Sequence, residues 1–141
     1  MKATAQAGSN IAFVKYWGTL DPELHLPLNS SISLTLDQAN TLVTIEFSPH
    51  VSEGQDQIVL EGQPAEGRLR RRVVHFLDHL RRLAGTDQPA RVATRSTFPV
   101  ATGLAASASL FAGLTVAGLA ALGLSMTERE MTTSSPRVLV T

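Results

Sequence analysis

The stretch PVATGLAASAS, residues 99–109, decides how this chain folds. It joins a strand-like segment upstream to a long Ala/Gly/Leu helix pattern downstream. Pro99 cannot continue a central strand, Gly103 permits a tight turn, and Ser107 and Ser109 fall where a new helix exposes unpaired N–H groups. An anion, and a phosphate above all, is the natural partner of such a helix start. Small residues in a loop also serve simply to bring a helix close to a sheet, and the stretch alone leaves both readings open.

Upstream of it, residues 91–98 alternate, as do residues 32–37 and 41–48. In the last of these Thr41, Val43, Ile45 and Phe47 share one side and Leu42, Thr44, Glu46 and Ser48 the other, the pattern of a half-buried strand. Residues 57–60 read as a further strand, with Glu61-Gly62-Gln63-Pro64 as a turn. Between them Leu69, Val73, Phe76, Leu77, Leu80 and Leu83 recur at spacings of three and four, which predicts a helix with one core face and Gly85 as its stop. After the loop, Leu110, Phe111, Leu114, Ala117, Leu119, Ala120 and Leu122 leave no polar stripe, so a helix over about residues 108–122, ended by Gly123, is expected to be covered on most sides. Ser125 with Glu128, or Thr127 with Glu130, offers a capping box for one more helix, and MTTSSP at 131–136 breaks that pattern at once.

The 141 residues have the size of one domain, and twelve basic residues balance twelve acidic ones. Nothing global therefore steers the chain toward nucleic acid or an anionic membrane. The sequence has no cysteine, which excludes disulfides, thiolate metal sites and a cysteine nucleophile together, and agrees with a reducing, cytoplasmic setting. The N-terminus leads into no apolar h-region. Residues 96–127 carry no charge and are long enough to cross a bilayer, yet Pro99, Thr102, Ser107, Ser109, Thr115 and four glycines dilute them, and a buried central helix is the reading adopted. Arg68, Arg70, Arg71, Arg72, Arg81 and Arg82 form a basic strip without interleaved aromatics, which reads as a solvated helix face rather than an RNA-binding surface. His75 and His79 stand one turn apart, the spacing of a zinc-binding helix, but Phe76 occupies the place of a metalloprotease glutamate and no third ligand is apparent, so no metal site is assigned.

Two N-terminal blocks carry further chemistry. In NIAFVKYWG, residues 10–18, alternating apolar residues lead to Lys15, a compact charge suited to a phosphate or carboxylate, and to Tyr16 and Trp17, which can wall a pocket. A strand end with a solvated lysine accounts for the same residues. In LPLNSSISLTLD, residues 26–37, Asn29, Ser30 and Ser31 set three small hydrogen-bonding groups beside a strand, as a pocket wall or as a capped turn.

NIAFVKYWGTLD (10–21), LPLNSSISLTLDQ (26–38) and FPVATGLAASAS (98–109), in this order, resemble the N-terminal part of the mevalonate diphosphate decarboxylases of the GHMP kinase superfamily. The resemblance covers about residues 1–130 and implies an α+β fold: the superfamily's left-handed βαβ-type N-terminal domain, related to ribosomal protein S5 domain 2, incomplete at its C-terminal end. It implies ATP and Mg2+ as cofactors and Gly103, Leu104, Ala105, Ala106, Ser107 and Ala108 as the nucleotide loop. Substrate would be bound by Lys15, Tyr16, Trp17, Gly18, Thr19 and, through a phosphate, Arg72. The reaction implied is phosphorylation of the tertiary hydroxyl of mevalonate 5-diphosphate, with departure of that phosphate driving decarboxylation to isopentenyl diphosphate. A homodimer is implied for the full-length protein.

Departures from the family pattern refine this. Thr19 stands where KYWGK has its second lysine, so a cation expected near the 5-diphosphate is missing and a relative acting on mevalonate 5-phosphate becomes an alternative. Ala106 replaces the first of two adjacent loop serines. A second alternative is a small-molecule kinase of the superfamily, such as a mevalonate 3-kinase. The family's catalytic aspartate falls beyond residue 141, neither Asp21 nor Asp37 matches it, and residues 131–141 read as an atypical tail from truncation or frameshift. The expectation is that the 141-residue chain alone does not turn over.

Overall fold

The computed structural model describes residues 1–14, 18–21, 26–27, 30, 32–51, 54–99 and 106–127. Its main sheet has five strands in the order β1 (Lys2–Val14), β4 (Ile32–Phe47), β7 (Ala90–Ser96), β5 (Gln57–Leu60) and β6 (Gln63–Pro64). A short antiparallel pair, β2 (Thr19–Asp21) and β3 (Leu26–Pro27), lies apart from it. Two helices, α1 (Gly67–Ala84) and α2 (Ala106–Ala121), complete the described elements. The fold is thus α+β, as the sequence implies.

β1, β4 and β7 are mutually antiparallel, while β5 runs parallel to β7 and reaches it through the hairpin to β6 and the crossover helix α1. A parallel neighbour cannot be reached by a tight turn, so the helix between them is a topological necessity. The period-2 pattern is obeyed: Val43, Ile45 and Phe47 of β4 and Ala90 and Val92 of β7 are buried, whereas Leu42, Arg91, Ala93 and Arg95 are exposed. One face is covered and the other is open to solvent, as antiparallel sheets allow.

Val73, Phe76, Leu77 and Leu80 of α1 and Leu110, Phe111, Leu114 and Ala117 of α2 join those strands in one core, in which Phe76 and Phe111 meet edge to face at 6.0 Å. Leu83, expected in the core, is 44% exposed at the end of α1. Gly85 adopts φ 63°, donating to the Arg81 carbonyl and ending α1 as its position predicts. α2 begins two residues earlier than the expected 108, and Ala112, Val116 and Ala120 form an exposed stripe on a helix otherwise buried. Burial on most sides, rather than a membrane, accounts for its apolar composition, and no helix among the described residues is long and apolar enough to span a bilayer.

Three features depart from the pattern read along the chain. Residues 32–37 and 41–48 form the single strand β4, because the register slips past an irregularity: Gly8 opposes Asn40 while Asn10 opposes Thr35. β1 begins at Lys2, where Ala3, Ala5 and Ala7 turn inward with too little apolar bulk to register as a strand. Gln63-Pro64, read as turn, pairs with Val59 and Leu60 as β6, and the turn is Glu61-Gly62.

Candidate functional site

The helix α2 owes its place to its smallest residues. A Cβ at Gly113 would stand 2.6 Å from Val43 Cγ2, and one at Gly118 would stand 2.3 Å from Leu80 Cδ1, so the helix rests directly on β4 and on α1. Small residues for close packing and a helix start for an anion, two readings left open by the sequence, are served by different parts of the same segment.

β7 stops at Ser96 and α2 starts at Ala106, and both ends meet at Thr41 on β4. Thr41 Oγ1 lies 2.8 Å from Ser109 Oγ and 3.3 Å from Ser96 Oγ, and Thr41 pairs with Ser96 in the β4–β7 ladder and with Ala7 in the β1–β4 ladder. From this same end of the sheet, β1 and β4 continue as a two-stranded arm in which Ile11 opposes Leu34 and Val14 opposes Ile32. The flanks of residues 100–105 and the strand end that leads to Lys15 therefore emerge at one end of the molecule. Lys15, Tyr16, Trp17, Gly103, Leu104 and Ala105 lie outside the described residues. Gly18, at φ 94°, precedes the β2–β3 pair, and Thr19 opens β2 opposite Pro27.

Among the expected loop residues, Ala106, Ser107 and Ala108 form the first turn of α2, with Ser107 exposed and no acidic residue in that turn. Unpaired N–H groups, a hydroxyl and no competing carboxylate on the helix suit an anion. Beside this turn lies a cavity of about 150 Å³, walled by Leu60, Leu69 and Leu110 and edged by Glu61, Ser96 and Ser107.

Arg72 belongs to this end as well. Its guanidinium stacks over the Phe111 ring, 4.8 Å from the centroid, which orients a planar cation on a buried aromatic. Burial, and then the neighbouring Arg68, lower its pKa from the usual arginine value. Arginine stays charged throughout the working range nonetheless, so the guanidinium on Phe111 remains a cation. Arg81, read as part of the same solvated strip, is instead only 12% exposed in its side chain. It is paired with Asp56, lies 2.7 Å from Asp78 and donates to the Gln88 carbonyl at 2.9 Å, so it ties α1 to the β7 approach. His75 is exposed, and among the described residues no cluster of ligating side chains could hold a metal ion.

Two residues of this end, Thr41 and Glu61, were not singled out as functional in the sequence, and Ser109, read only as part of the helix start, was not paired with Thr41. The available signal was a hydroxyl on the inward face of a strand between apolar residues, and a long charged residue just before a turn glycine.

The residues from 7 to 138 match the model of the diphosphomevalonate decarboxylase-like N-terminal domain. This chain belongs to that family. It is 38% identical over 137 residues to the phosphomevalonate decarboxylase of Haloferax volcanii, covering 97% of this chain and 42% of that protein. It is 39% identical over 126 residues to human diphosphomevalonate decarboxylase, covering 79% of this chain and 31% of that protein. The crystal structure of mevalonate diphosphate decarboxylase from Staphylococcus aureus superposes with a TM-score of 0.87 at 33% identity, over 97% of this chain and 41% of that one. A structure of MDDEF in complex with MVAPP, AMPPCP and magnesium superposes with a TM-score of 0.86 at 37% identity, over 97% and 41%. The chain thus spans about two fifths or less of the length of these decarboxylases.

Proposed function

We propose that this chain provides the ATP-phosphate site and part of the substrate-phosphate site of an ATP-dependent decarboxylase acting on a phosphorylated mevalonate. The observation that carries the reading is the junction of β7 and α2, whose small, acid-free first turn opens at the end of the sheet where the Lys15 segment begins. Ala106, Ser107 and Ala108, with Gly103, Leu104 and Ala105, would hold the nucleotide phosphates through backbone N–H groups, and the Ser107 hydroxyl could share in holding Mg2+ bound to those phosphates. Lys15, Tyr16, Trp17, Gly18, Thr19 and Arg72 would bind the substrate, with Arg72 presented on Phe111 toward its phosphate. ATP, when bound, would supply the phosphoryl group that lets the tertiary oxygen depart as phosphate with the C–O bonding pair, while the pair released as carbon dioxide leaves forms the new C=C bond.

The domain is proposed to comprise residues 1–130, with 131–141 as a tail outside it. Turnover is assigned to a protein of the relatives' length, set in the cytoplasm as a homodimer, and the 141-residue chain alone is expected to release no labelled carbon dioxide from carboxyl-labelled substrate. Mevalonate 5-diphosphate is the first substrate proposed. The 5-monophosphate is the second, favoured by Thr19 in place of a cation and by the Haloferax phosphomevalonate decarboxylase, whose match extends over 97% of this chain. Calorimetric titration of the chain with Mg-AMPPCP tests the core of the proposal: saturable binding is expected, and its absence at millimolar nucleotide would overturn it.

A further inference from the structure

Glu61 is the one non-glycine residue among those described with a positive φ, 52°. A left-handed backbone disfavours a residue with a Cβ, and glycine, which follows as Gly62, would avoid the strain. What Glu61 contributes is its carboxylate. Oε2 accepts the Ser96 N–H at 2.9 Å, and Oε1 accepts the Ser96 hydroxyl at 3.0 Å and the Thr94 hydroxyl at 3.3 Å. Its own N–H donates to the Thr94 carbonyl at 3.2 Å. The β5–β6 turn therefore grips the last residues of β7 through four hydrogen bonds.

The grip continues into α2. Ser96 Oγ lies 3.3 Å from Thr41 Oγ1, Thr41 Oγ1 lies 2.8 Å from Ser109 Oγ, and Ser109 Oγ lies 3.2 Å from the Ala106 carbonyl, with Thr41 and Ser109 both buried. Each hydroxyl has one proton. An anionic Glu61 can only accept, so Ser96 donates to it, Thr41 donates to Ser96, and Ser109 gives its one proton to Thr41 at 2.8 Å in place of the longer, 3.2 Å contact with the Ala106 carbonyl. The hydroxyl dipoles then all point toward the carboxylate and reinforce one another.

We propose that Glu61 is a positioning residue that fixes the flanks of the proposed phosphate loop, Ser96 at the end of β7 and Ser109 at the start of α2, relative to each other through the hydroxyl relay that passes through Thr41. This deepens the nucleotide-site reading above and rests on it only for its effect on ligand binding. A glutamine at 61 can keep the relay by reversing it: its carbonyl accepts the Ser96 N–H, its NH2 donates to Ser96 Oγ, and the chain of donations runs outward to the Ala106 carbonyl. A glycine removes the relay's origin while relieving the backbone.

The test is residue-resolved hydrogen exchange on the 141-residue chain, comparing wild type with E61G and E61Q. The amides read are Thr97, which donates to the Asn40 carbonyl at 2.9 Å, and Leu110 and Phe111 in α2, none of which touches Glu61 directly in the bonds above. In E61G these should exchange about tenfold faster, the factor a charge-assisted hydrogen bond supports, while Leu77 in α1 and Leu119 late in α2 stay within about twofold. E61Q should restore wild-type rates. Uniform acceleration across both helices, no acceleration in E61G, or equal loosening in E61Q would each overturn the relay. In the ligand arm, E61G should weaken Mg-AMPPCP binding about tenfold. Wild-type protein that binds no nucleotide but shows the localised exchange would overturn the nucleotide reading and leave the positioning role supported.

Discussion

Replacing Gly113 by alanine sets two effects of known sign against each other. Alanine favours a helix interior over glycine by up to about 1 kcal/mol. The new methyl, however, would stand 2.6 Å from Val43 Cγ2 and 3.2 Å from Val43 Cβ, about 1 Å closer than a relaxed carbon contact. Val43 is fully buried and β-branched, so it cannot swing aside, and the helix must lift from the sheet instead. Overpacking of this kind costs about 1–3 kcal/mol, which leaves a net loss of about 1 kcal/mol for G113A. Urea denaturation reads this as a lower midpoint at an unchanged m-value. The double variant G113A/V43A makes the space available, and its loss should fall short of the sum of the single losses by about 1 kcal/mol. A G113A protein more stable than wild type would refute the reasoning, since it would mean that α2 can move off β4 at no cost.

Other substitutions probe the site and its supports. S107A should change stability by less than about 0.5 kcal/mol, because Ser107 is exposed, while weakening Mg-AMPPCP binding severalfold in calorimetry. R72M keeps an apolar stem over Phe111 and removes the cation, so affinity for a substrate phosphate should fall at least tenfold in calorimetric titration. Since burial lowers the Arg72 pKa but arginine is protonated in both folded and unfolded chains at neutral pH, that cation adds no slope to stability between about pH 5 and 9. D56A should cost about 3 kcal/mol in urea, because it leaves the largely buried Arg81 with the more exposed Asp78 as its ion-pair partner among the described residues and strips the Ala90 N–H of its 2.8 Å acceptor.

Periodicity was legible wherever one face of an element is buried: the β4 alternation of Val43, Ile45 and Phe47, and the α1 spacing of Val73, Phe76, Leu77 and Leu80, translate directly into the core. It failed where bulk is missing. β1 enters the core through alanines, which carry weak strand preference, and its significance appears only once α2 is seen lying close against it. The continuity of β4 was hidden because an irregularity interrupts alternation without ending the strand. The site was legible as composition, since the small residues and serines of 99–109 announce a helix start, but its support was not. Glu61 and Ser96 are 35 residues apart, and only the parallel pairing of β5 with β7 brings them together. Arg81 and Arg72 looked alike in a basic strip, and tertiary partners alone separate an anchoring ion pair from a stacked cation.

Leu69 near the start of α1 and Ala106 at the start of α2 border one cavity, and Arg72 and Leu80 of α1 meet Phe111 and the Gly118 turn of α2 in that order, so the two helices run side by side in the same direction. Antiparallel neighbours would cancel each other's axial fields; these two add, each contributing about half an elementary charge of positive potential at the same rim. Neither first turn contains an acid; the carboxylates nearby are Glu66 at the α1 N-cap and Glu61, which is engaged by Ser96 and Thr94. A chain with no net charge thereby turns two helix N-termini toward one rim, a backbone contribution that no surface mutation of a lysine or arginine would abolish.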